Sequence, residues 1–407
     1  MEDKNRNTLL NKNLLYVSED GGNPNTAMFV HTINVAKLFE QVGYEVSIVS
    51  EGNQDFADEK YCEGINLYNV KCETGKGLLG RISFLNEKLT GKKLIAQIKK
   101  VTKDSFPDVI LLYGFGPRRW LHKYCIKHKI TYLVEMTDWF EGRDRNHLYA
   151  RLFFQPIYDR YVKNLSKTAD GIIAVSEWLK NYFDDANCIQ IPPIFDISDF
   201  EKYRTENCIT ENSNNNRYLK VAYTGTMGNK DVMEPFIEAL LRINTDNIKI
   251  RFEVAGISNE EFIKKFGNLD WSQLGVVVHG QVKHEEAVNI VAKADFSVLL
   301  RHNRRYAKAG FSTKAAESML CGVPVIATCV GGTDTVIEDG VNGILIPNNE
   351  IDTIEKKLKE LLCYSSDELI RMKKNTSRFA DEYFSYSSYT DLLDKFIEQA
   401  EKYERII

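Results

Sequence analysis

Short runs of β-branched and other apolar residues alternate with amphipathic segments along the whole 407-residue chain. The first run, 14–18, is followed by a turn and a helical segment in which Val30, Ile33, Leu38 and Val42 can share one buried face. Such alternation is typical of parallel sheets covered by helices, and it argues against a sandwich or a helical bundle. The sequence therefore predicts an α/β fold.

The predicted strands fall into two series of similar size. The first comprises 14–18, 45–49, 109–113, 131–135, 171–175 and 188–191, and the second comprises 219–223, 248–254, 275–279, 296–300, 323–327 and 343–346. A hydrophilic tract, 205–217, lies between them and suits an exposed connection. Because single cores seldom grow beyond roughly 250 to 300 residues, we predict two doubly wound halves joined near residue 200.

Composition limits the classes of protein to which this chain can belong. The formal net charge of −4 gives no global attraction to nucleic acid. The eight cysteines form no CxxC pair or His/Cys cluster, so we predict reduced, mostly buried thiols and no metal site. Residues 1–13 lack the apolar core of a signal peptide, and no stretch approaches the roughly 20 apolar residues of a membrane span. We therefore expect a cytoplasmic protein.

The most informative stretch runs from Ala309 to Thr328. Ser312 and Thr313 are residue types that cap helix starts, where unpaired N–H groups and the helix dipole favour a phosphate. Lys314 adds a full positive charge at the same end. Glu317 lies one turn inside the helix, where its carboxylate could close a capping box or accept hydrogen bonds from sugar hydroxyls. The residues alone leave both alternatives open.

This stretch resembles the signature of family 4 glycosyltransferases, Glu-Gly-Phe and then, after five residues, Glu-Ala-x-Ala-Cys-Gly-x-Pro-Val-Ile-Ala-Thr. The resemblance implies a GT-B fold, in which two Rossmann-like, doubly wound domains face a central cleft. It also implies that Ser312, Thr313 and Lys314 bind the diphosphate of a nucleotide-sugar donor, and that Glu317 binds its ribose. The first glutamate of the signature, which usually contacts the transferred sugar, is replaced by Ala309.

The stretch 221–230 resembles the strand and loop that open the donor domain of this family. The resemblance assigns Gly225, Thr226 and Lys230 to the donor site, with Thr226 standing where an arginine is usual. A basic run that begins at Arg301 directly precedes the phosphate loop. This run is either a solvated loop or an electrostatic support for the diphosphate.

Two further segments resemble parts of the same donor domain. One is the segment whose backbone meets the nucleotide base, which contains His279, Gly280 and Val282. A single histidine such as His279 more often has a structural role than a catalytic one. The run 331–335 resembles the Gly-Gly loop of the family, with Thr335 in place of a common glutamate.

The N-terminal half carries weaker matches. Gly22 follows the first strand and resembles the glycine loop that lets the backbone approach the donor. Asp138 follows the strand 131–135, where family members carry a polar group that faces the cleft, although an aspartate after a strand also caps turns. Asp138, Lys230 and Lys314 are our catalytic candidates.

Three segments make up the predicted domain organisation. By resemblance, residues 1–198 bind the acceptor, residues 199–385 bind the donor, and residues 386–407 form a helix that crosses back to the first domain.

The segment 76–103 contains eight Lys and Arg residues against the single acid Glu87, interleaved with apolar residues. Such a segment can lie peripherally on an anionic membrane face. It can equally form a helix that packs on its sheet with its lysines in solvent.

The resemblance implies a retaining transferase in which Lys230, Ser312, Thr313 and Lys314 stabilise the leaving diphosphate. No Asp-x-Asp pair follows a strand, so we expect no metal and no cofactor besides the nucleotide sugar, with UDP favoured over GDP. The expected acceptor is a glycan or a lipid-linked precursor of a bacterial surface polysaccharide. Two alternatives stay open, a nucleotide-sugar 2-epimerase and a catalytically inactive GT-B partner subunit.

Overall fold

The chain divides into two compact units in the computed structural model. The first unit is Met1–Phe195 with Tyr386–Ile407, and the second unit is Asp196–Ser385. The division falls inside the segment 191–196, close to the boundary that the sequence predicts. The structure describes residues 12–18, 26–52, 59–62, 64–71, 91–102, 106–113, 119–141, 152, 155–205, 218–228 and 230–402.

The first unit is built on one eight-stranded sheet. Its strands are β1 (Lys12–Ser18), β2 (Tyr44–Gly52), β3 (Glu59–Cys62), β4 (Ile65–Lys71), β5 (Val109–Tyr113), β6 (Thr131–Met136), β7 (Gly171–Ala174) and β8 (Cys188–Gln190). Their order in the sheet is β3-β4-β2-β1-β5-β6-β7-β8, and every pairing is parallel except that of β3 with β4. Strand order therefore reverses at β1, as in doubly wound folds.

The second unit contains a six-stranded sheet. Its strands are β9 (Leu219–Thr224), β10 (Ile250–Ala255), β11 (Val276–Val278), β12 (Phe296–Leu299), β13 (Val325–Thr328) and β14 (Gly343–Ile346). All pairings are parallel, in the order β11-β10-β9-β12-β13-β14. The α/β prediction is confirmed for both sheets.

Fifteen α-helices lie in the described parts of the chain, most of them between successive strands. They are α1 (Ala27–Gln41), α2 (Lys92–Thr102), α3 (Arg119–His128), α4 (Gln155–Thr168), α5 (Glu177–Tyr182), α6 (Ser198–Thr205), α7 (Glu234–Ile243), α8 (Asn259–Phe266), α9 (His284–Ala292), α10 (Arg305–Ala309), α11 (Thr313–Leu320), α12 (Thr333–Val336), α13 (Ile351–Leu361), α14 (Ser366–Tyr383) and α15 (Thr390–Glu401). Among the described helices, none combines the length and apolar character needed to cross a bilayer.

The sequence did not predict β3 and β4. These strands form an antiparallel pair at the edge of the first sheet, connected through Gly64, whose φ is +92°. Polar residues interrupt both strands, so neither shows the continuous apolar run of a strand buried on both faces.

Helix α2 is the described part of the basic segment 76–103. Leu94 and Ile98 are fully buried in the first unit, whereas Lys92, Lys93, Lys99 and Lys100 are exposed. This arrangement is the one expected of a helix that packs on its sheet. Residues 76–90 and 103 lie outside the described residues, so association with a membrane stays a prediction.

The prediction that most cysteines are buried is wrong for the five whose burial is described. Cys125 and Cys321 are buried, Cys188 is half-buried, and Cys329 and Cys363 are exposed. The two exposed thiols follow β13 and α13, where the chain leaves the core. All five are free thiols, and burial raises the pKa of Cys321 to about 12.

The helix α15 returns to the first unit and shares its core. Leu393, Phe396, Ile397 and Ala400 are buried in the same cluster as residues of β1, β2 and β5. The Phe396 ring lies so close to Gly171 that a Cβ on that glycine would be 2.4 Å from the ring. Packing at this point therefore requires glycine at the start of β7.

We predict that Gly171→Ala lowers the free energy of unfolding by about 1 to 3 kcal/mol, because an added methyl overpacks a full core. Gly228→Ala is the control, since a Cβ there would meet its nearest neighbour at 3.6 Å. Urea denaturation of both variants measures the difference. Equal stability of the two would contradict this description of the α15 contact.

Candidate functional site

The start of α11 lies at the carboxyl edge of the second sheet, following α10 and a short extended segment. Ser312 is the N-cap residue, but its side chain makes no capping hydrogen bond. Ser312 is only 2% exposed, and its buried Oγ has no hydrogen-bond partner among the described residues, which is unusual for a buried polar atom. Thr313 is the first helical residue, and the first N–H groups of any helix lack partners within it. These donors make the helix start suitable for an anion.

The capping-box alternative for Glu317 is wrong. Glu317 Oε1 lies 2.8 Å from Nε2 of His284, the first residue of α9, and not on the backbone of Ser312. The Glu317 side chain is 17% exposed and that of His284 is 53% exposed, so the pair remains accessible to a ligand. The hydrogen bond to Glu317 raises the pKa of His284 above its ordinary value.

Lys314 belongs to a compact polar cluster that the sequence did not reveal. Its Nζ donates to Asp231 Oδ2 at 2.6 Å and to the Tyr223 hydroxyl at 3.2 Å. Tyr223 itself donates to Asp231 at 2.7 Å, and Arg301 Nε lies 3.3 Å from the other carboxylate oxygen. Four side chains are thus brought together from β9, the loop that follows it, the segment after β12, and α11.

The electrostatics of this cluster favour an ionised Asp231. Burial alone would raise the pKa of Asp231, but the charges of Lys314 and Arg301 outweigh burial and hold that pKa below its usual range. Burial and the neighbouring carboxylate raise the pKa of Tyr223, so its hydroxyl stays protonated. The cluster therefore contains two cations and one anion, an excess of one positive charge.

The loop after β9 approaches this cluster through a glycine. Gly225 has a φ of +145°, and a Cβ there would lie 2.3 Å from Lys314 Nζ, so a side chain would displace the ammonium group. Thr226 and Lys230 are both exposed in the same loop. Asp231, directly after Lys230, is the residue whose side chain points into the cluster.

Two other loops meet the same edge of the sheet. Gly256 N–H donates to Gly280 O at 2.8 Å, and a Cβ on Gly256 would collide with the backbone of Gly225. His279 Nε2 lies 2.7 Å from Glu253 Oε2, a contact expected of a structural histidine. Val282 is half-buried between these loops and α9.

The Gly331-Gly332 turn packs against the segment that leads into α11. A Cβ on Gly331 would lie 2.2 Å from Ala307 O, and one on Gly332 would lie 2.5 Å from the Phe311 ring. Thr335 is exposed, and its hydroxyl donates to Gly332 O at 2.7 Å. Ala309, which replaces the first glutamate of the signature, is fully buried.

The first unit holds the remaining candidates. Asp138 is half-buried after β6, and its Oδ1 accepts a hydrogen bond from the N–H of Trp139 at 3.0 Å, as a turn-capping aspartate does. Gly22 lies outside the described residues. Within the described ranges, no group of three His, Cys, Asp or Glu side chains has the arrangement of a metal site.

Sequence reasoning also missed a buried polar cluster in the first unit. The carboxylate of Glu135, near the end of β6, contacts His31 Nε2 and the Tyr16 hydroxyl. All three side chains are buried. The only signal in the sequence is an acid inside an otherwise apolar strand, which indicates that a partner is needed but does not identify it.

Comparison with known proteins assigns both halves of the chain. Residues 219–363 match the family described as "Glycosyl transferases group 1", and residues 25–176 match the one described as "Glycosyl transferase 4-like". An uncharacterized glycosyltransferase of Methanocaldococcus jannaschii is 26% identical over 251 residues, which cover 60% of this chain and 62% of the relative. The match therefore spans less than two thirds of that relative.

Solved structures share the fold at low sequence identity. Sucrose-phosphate synthase from Thermosynechococcus elongatus superposes with a TM-score of 0.71 at 15% identity, covering 95% of this chain and 98% of its own. Anabaena HepE in complex with UDP gives a TM-score of 0.63 at 15% identity, covering 95% and 99%. The two family matches identify the chain as a member of the family 4 glycosyltransferases, and the solved structures share its fold, which is GT-B.

Proposed function

We propose that this protein transfers a sugar from a nucleoside diphosphate donor, which the second unit binds at the start of α11. Two features at this helix start support the proposal: a buried Ser312 hydroxyl without a partner among the described residues, and Lys314 two residues further along the chain. A buried hydroxyl without a partner is costly, so a ligand that supplies one is favoured. A diphosphate offers acceptor oxygens to the hydroxyl, the helix N–H groups and the lysine.

Glu317 suits the ribose of the same donor molecule. It lies one turn along α11 from Ser312, and its carboxylate is oriented by His284 and still partly accessible. A carboxylate accepts hydrogen bonds from two vicinal hydroxyls without competing for the phosphate. Anabaena HepE, a structural neighbour, is described with bound UDP, which supports a uridine donor over a guanosine donor.

In the proposed reaction, the bond between the anomeric carbon and the diphosphate oxygen breaks, and its electron pair leaves with the nucleoside diphosphate. Lys314, Arg301 and the α11 N–H groups stabilise that charge, with Lys230 contributing from its exposed loop. The oxygen of the acceptor hydroxyl attacks the anomeric carbon from the same face, and its proton passes to the departing phosphate oxygen, so the configuration is retained. We assign acceptor binding to the first unit, with Asp138 as the polar group on that side, and a glycan or lipid-linked molecule as the acceptor.

These cations can do the electrostatic work that a divalent ion does in other transferases, so the proposed reaction needs no metal. The rival function is an inactive partner subunit that keeps the fold. Ala309, Thr226 and Thr335 favour it, because each replaces a charged residue that the resemblance leads us to expect.

We predict that Lys314→Ala weakens the binding of UDP and lowers kcat. Loss of a charged partner from a partly enclosed site costs about 2 to 4 kcal/mol, or roughly 30- to 1000-fold. Glu317→Gln should mainly raise the nucleotide dissociation constant, because it weakens the acceptor for ribose hydroxyls. Calorimetric titration with UDP and GDP measures both effects.

Two matched controls accompany these variants. Lys357→Ala removes a lysine that pairs with Asp339 at 3.0 Å, and Glu285→Gln alters a carboxylate that pairs with Lys202 at 2.7 Å. Neither pair belongs to the α11 site, so both controls should bind nucleotide like the wild type. Unchanged affinity in Lys314→Ala and Glu317→Gln as well would remove the donor site from α11.

We predict slow release of free nucleoside diphosphate when the protein is incubated with UDP-sugars in excess EDTA, since water can replace the acceptor. Adding Mg²⁺ or Mn²⁺ should leave the rate nearly unchanged. A 2-epimerase would release UDP together with a glycal, and an inactive partner would release nothing. Activity that disappears in EDTA and returns with metal would contradict the metal-independent mechanism.

A further inference from the structure

Asp231 is an acid placed where the proposed function needs positive charge. Its carboxylate accepts from Lys314 at 2.6 Å and from Tyr223 at 2.7 Å, and Arg301 Nε lies 3.3 Å away. Lys314 of α11 and Arg301, which follows β12, are the two cations that this cluster offers to a diphosphate, and one carboxylate occupies both. A phosphate that binds there must share these cations with Asp231 or take them from it.

The members of this cluster differ in their freedom to change partner. The side chain of Asp231 is 6% exposed and that of Arg301 is 12% exposed, whereas Lys314 is 32% exposed. The backbone of Asp231 is also held in place, because it forms an isolated antiparallel β-bridge with the backbone of Arg301. Lys314 holds its charge on a flexible stem with three rotatable donors, so it is the member that can turn toward a ligand.

The position of the ammonium group relative to the helix start favours such an exchange. Lys314 follows the N-cap Ser312 by two residues, so the same turn carries the lysine and the buried hydroxyl without a partner. The ammonium group also approaches Gly225, where a Cβ would lie 2.3 Å from it. Rotation of the flexible lysine side chain would transfer its hydrogen bond from the carboxylate to an anion at the helix start.

We infer that Asp231 is an internal counter-ion that holds Lys314 in the absence of donor and competes with the diphosphate for it. Without Asp231, two cations would face each other across an anion site with nothing to neutralise either. With it, the site is formed in advance, but the binding of a nucleoside diphosphate is weakened by a neighbouring negative charge. Asp231 is thus a positioning residue that promotes release of the product.

This inference rests on the proposed function. It differs from a purely structural role of Asp231 in the direction in which nucleotide affinity changes when the carboxylate is neutralised. A structural ion pair predicts that neutralising Asp231 loosens Lys314 and weakens nucleotide binding. A competing counter-ion predicts the opposite, because removal of a like charge a few ångströms from a bound anion strengthens binding by about tenfold.

The test is calorimetric titration of wild type and Asp231→Asn with UDP, together with the dissociation rate of UDP by stopped flow. The variant should bind about tenfold more tightly and release UDP more slowly by a similar factor. Tyr223→Phe, which removes one donor to Asp231 and keeps both charges, should change the affinity much less. Asp339→Asn is the matched control, because Asp339 forms another lysine–aspartate pair in the same unit and should leave the affinity unchanged.

Melting temperatures are measured for every variant, and Asp231→Ser replaces Asp231→Asn if the latter does not fold. Equal or weaker binding of UDP by a folded Asp231 variant would overturn the inference while the proposed donor site stands. If the wild type binds neither UDP nor GDP, the proposed function is refuted. The inferred competition between Asp231 and the diphosphate is then refuted as well.

Discussion

The ion pair between Lys314 and Asp231 connects the elements that form the site in the second unit. It joins the start of α11 to the loop after β9, and Arg301 adds the end of β12 to the same carboxylate. The parallel sheet brings these three elements to one edge, and the pair holds the lysine there while no donor is bound. The glycines at 225, 256 and 331 leave the space that this close packing requires.

The same edge combines two requirements that ordinarily oppose each other. An anion site needs exposed positive charge, whereas a stable unit needs its buried charges neutralised. Here the Asp231 carboxylate offsets one of the two positive charges of the cluster, and Ser312 and the helix N–H groups provide donors that carry no net charge. Glu317 and His284 extend the site along α11 with a second, separate pair.

The sequence predicted the central strands well because their signal is local. β5 and β14 match the predicted ranges at both ends, since each is a short apolar run between clear turn residues. β3 and β4 were missed because they are edge strands with mixed polarity. The α11 start was found through its capping residues and its lysine, which are neighbours in the chain.

The contacts of the site were harder to predict, because they join residues that are distant in the sequence. The partner of Glu317 lies on α9 and that of Lys314 in the loop after β9, and no periodicity relates these positions. Lys230, which the resemblance assigns to the donor site, and its neighbour Asp231, which the sequence did not single out, illustrate this limit. Both follow the same strand, and only the backbone conformation of the loop determines that the acid points inward while the lysine is exposed.

The central claim is that α11 begins at the diphosphate of a nucleotide-sugar donor, and a crystal structure with bound UDP tests it most directly. We expect diphosphate oxygens within hydrogen-bond distance of Ser312 Oγ and of the N–H groups of Thr313 and Lys314, and this expectation extends to the ribose. Its hydroxyls should contact the carboxylate of Glu317. UDP bound elsewhere, or with its diphosphate directed away from α11, would contradict this claim.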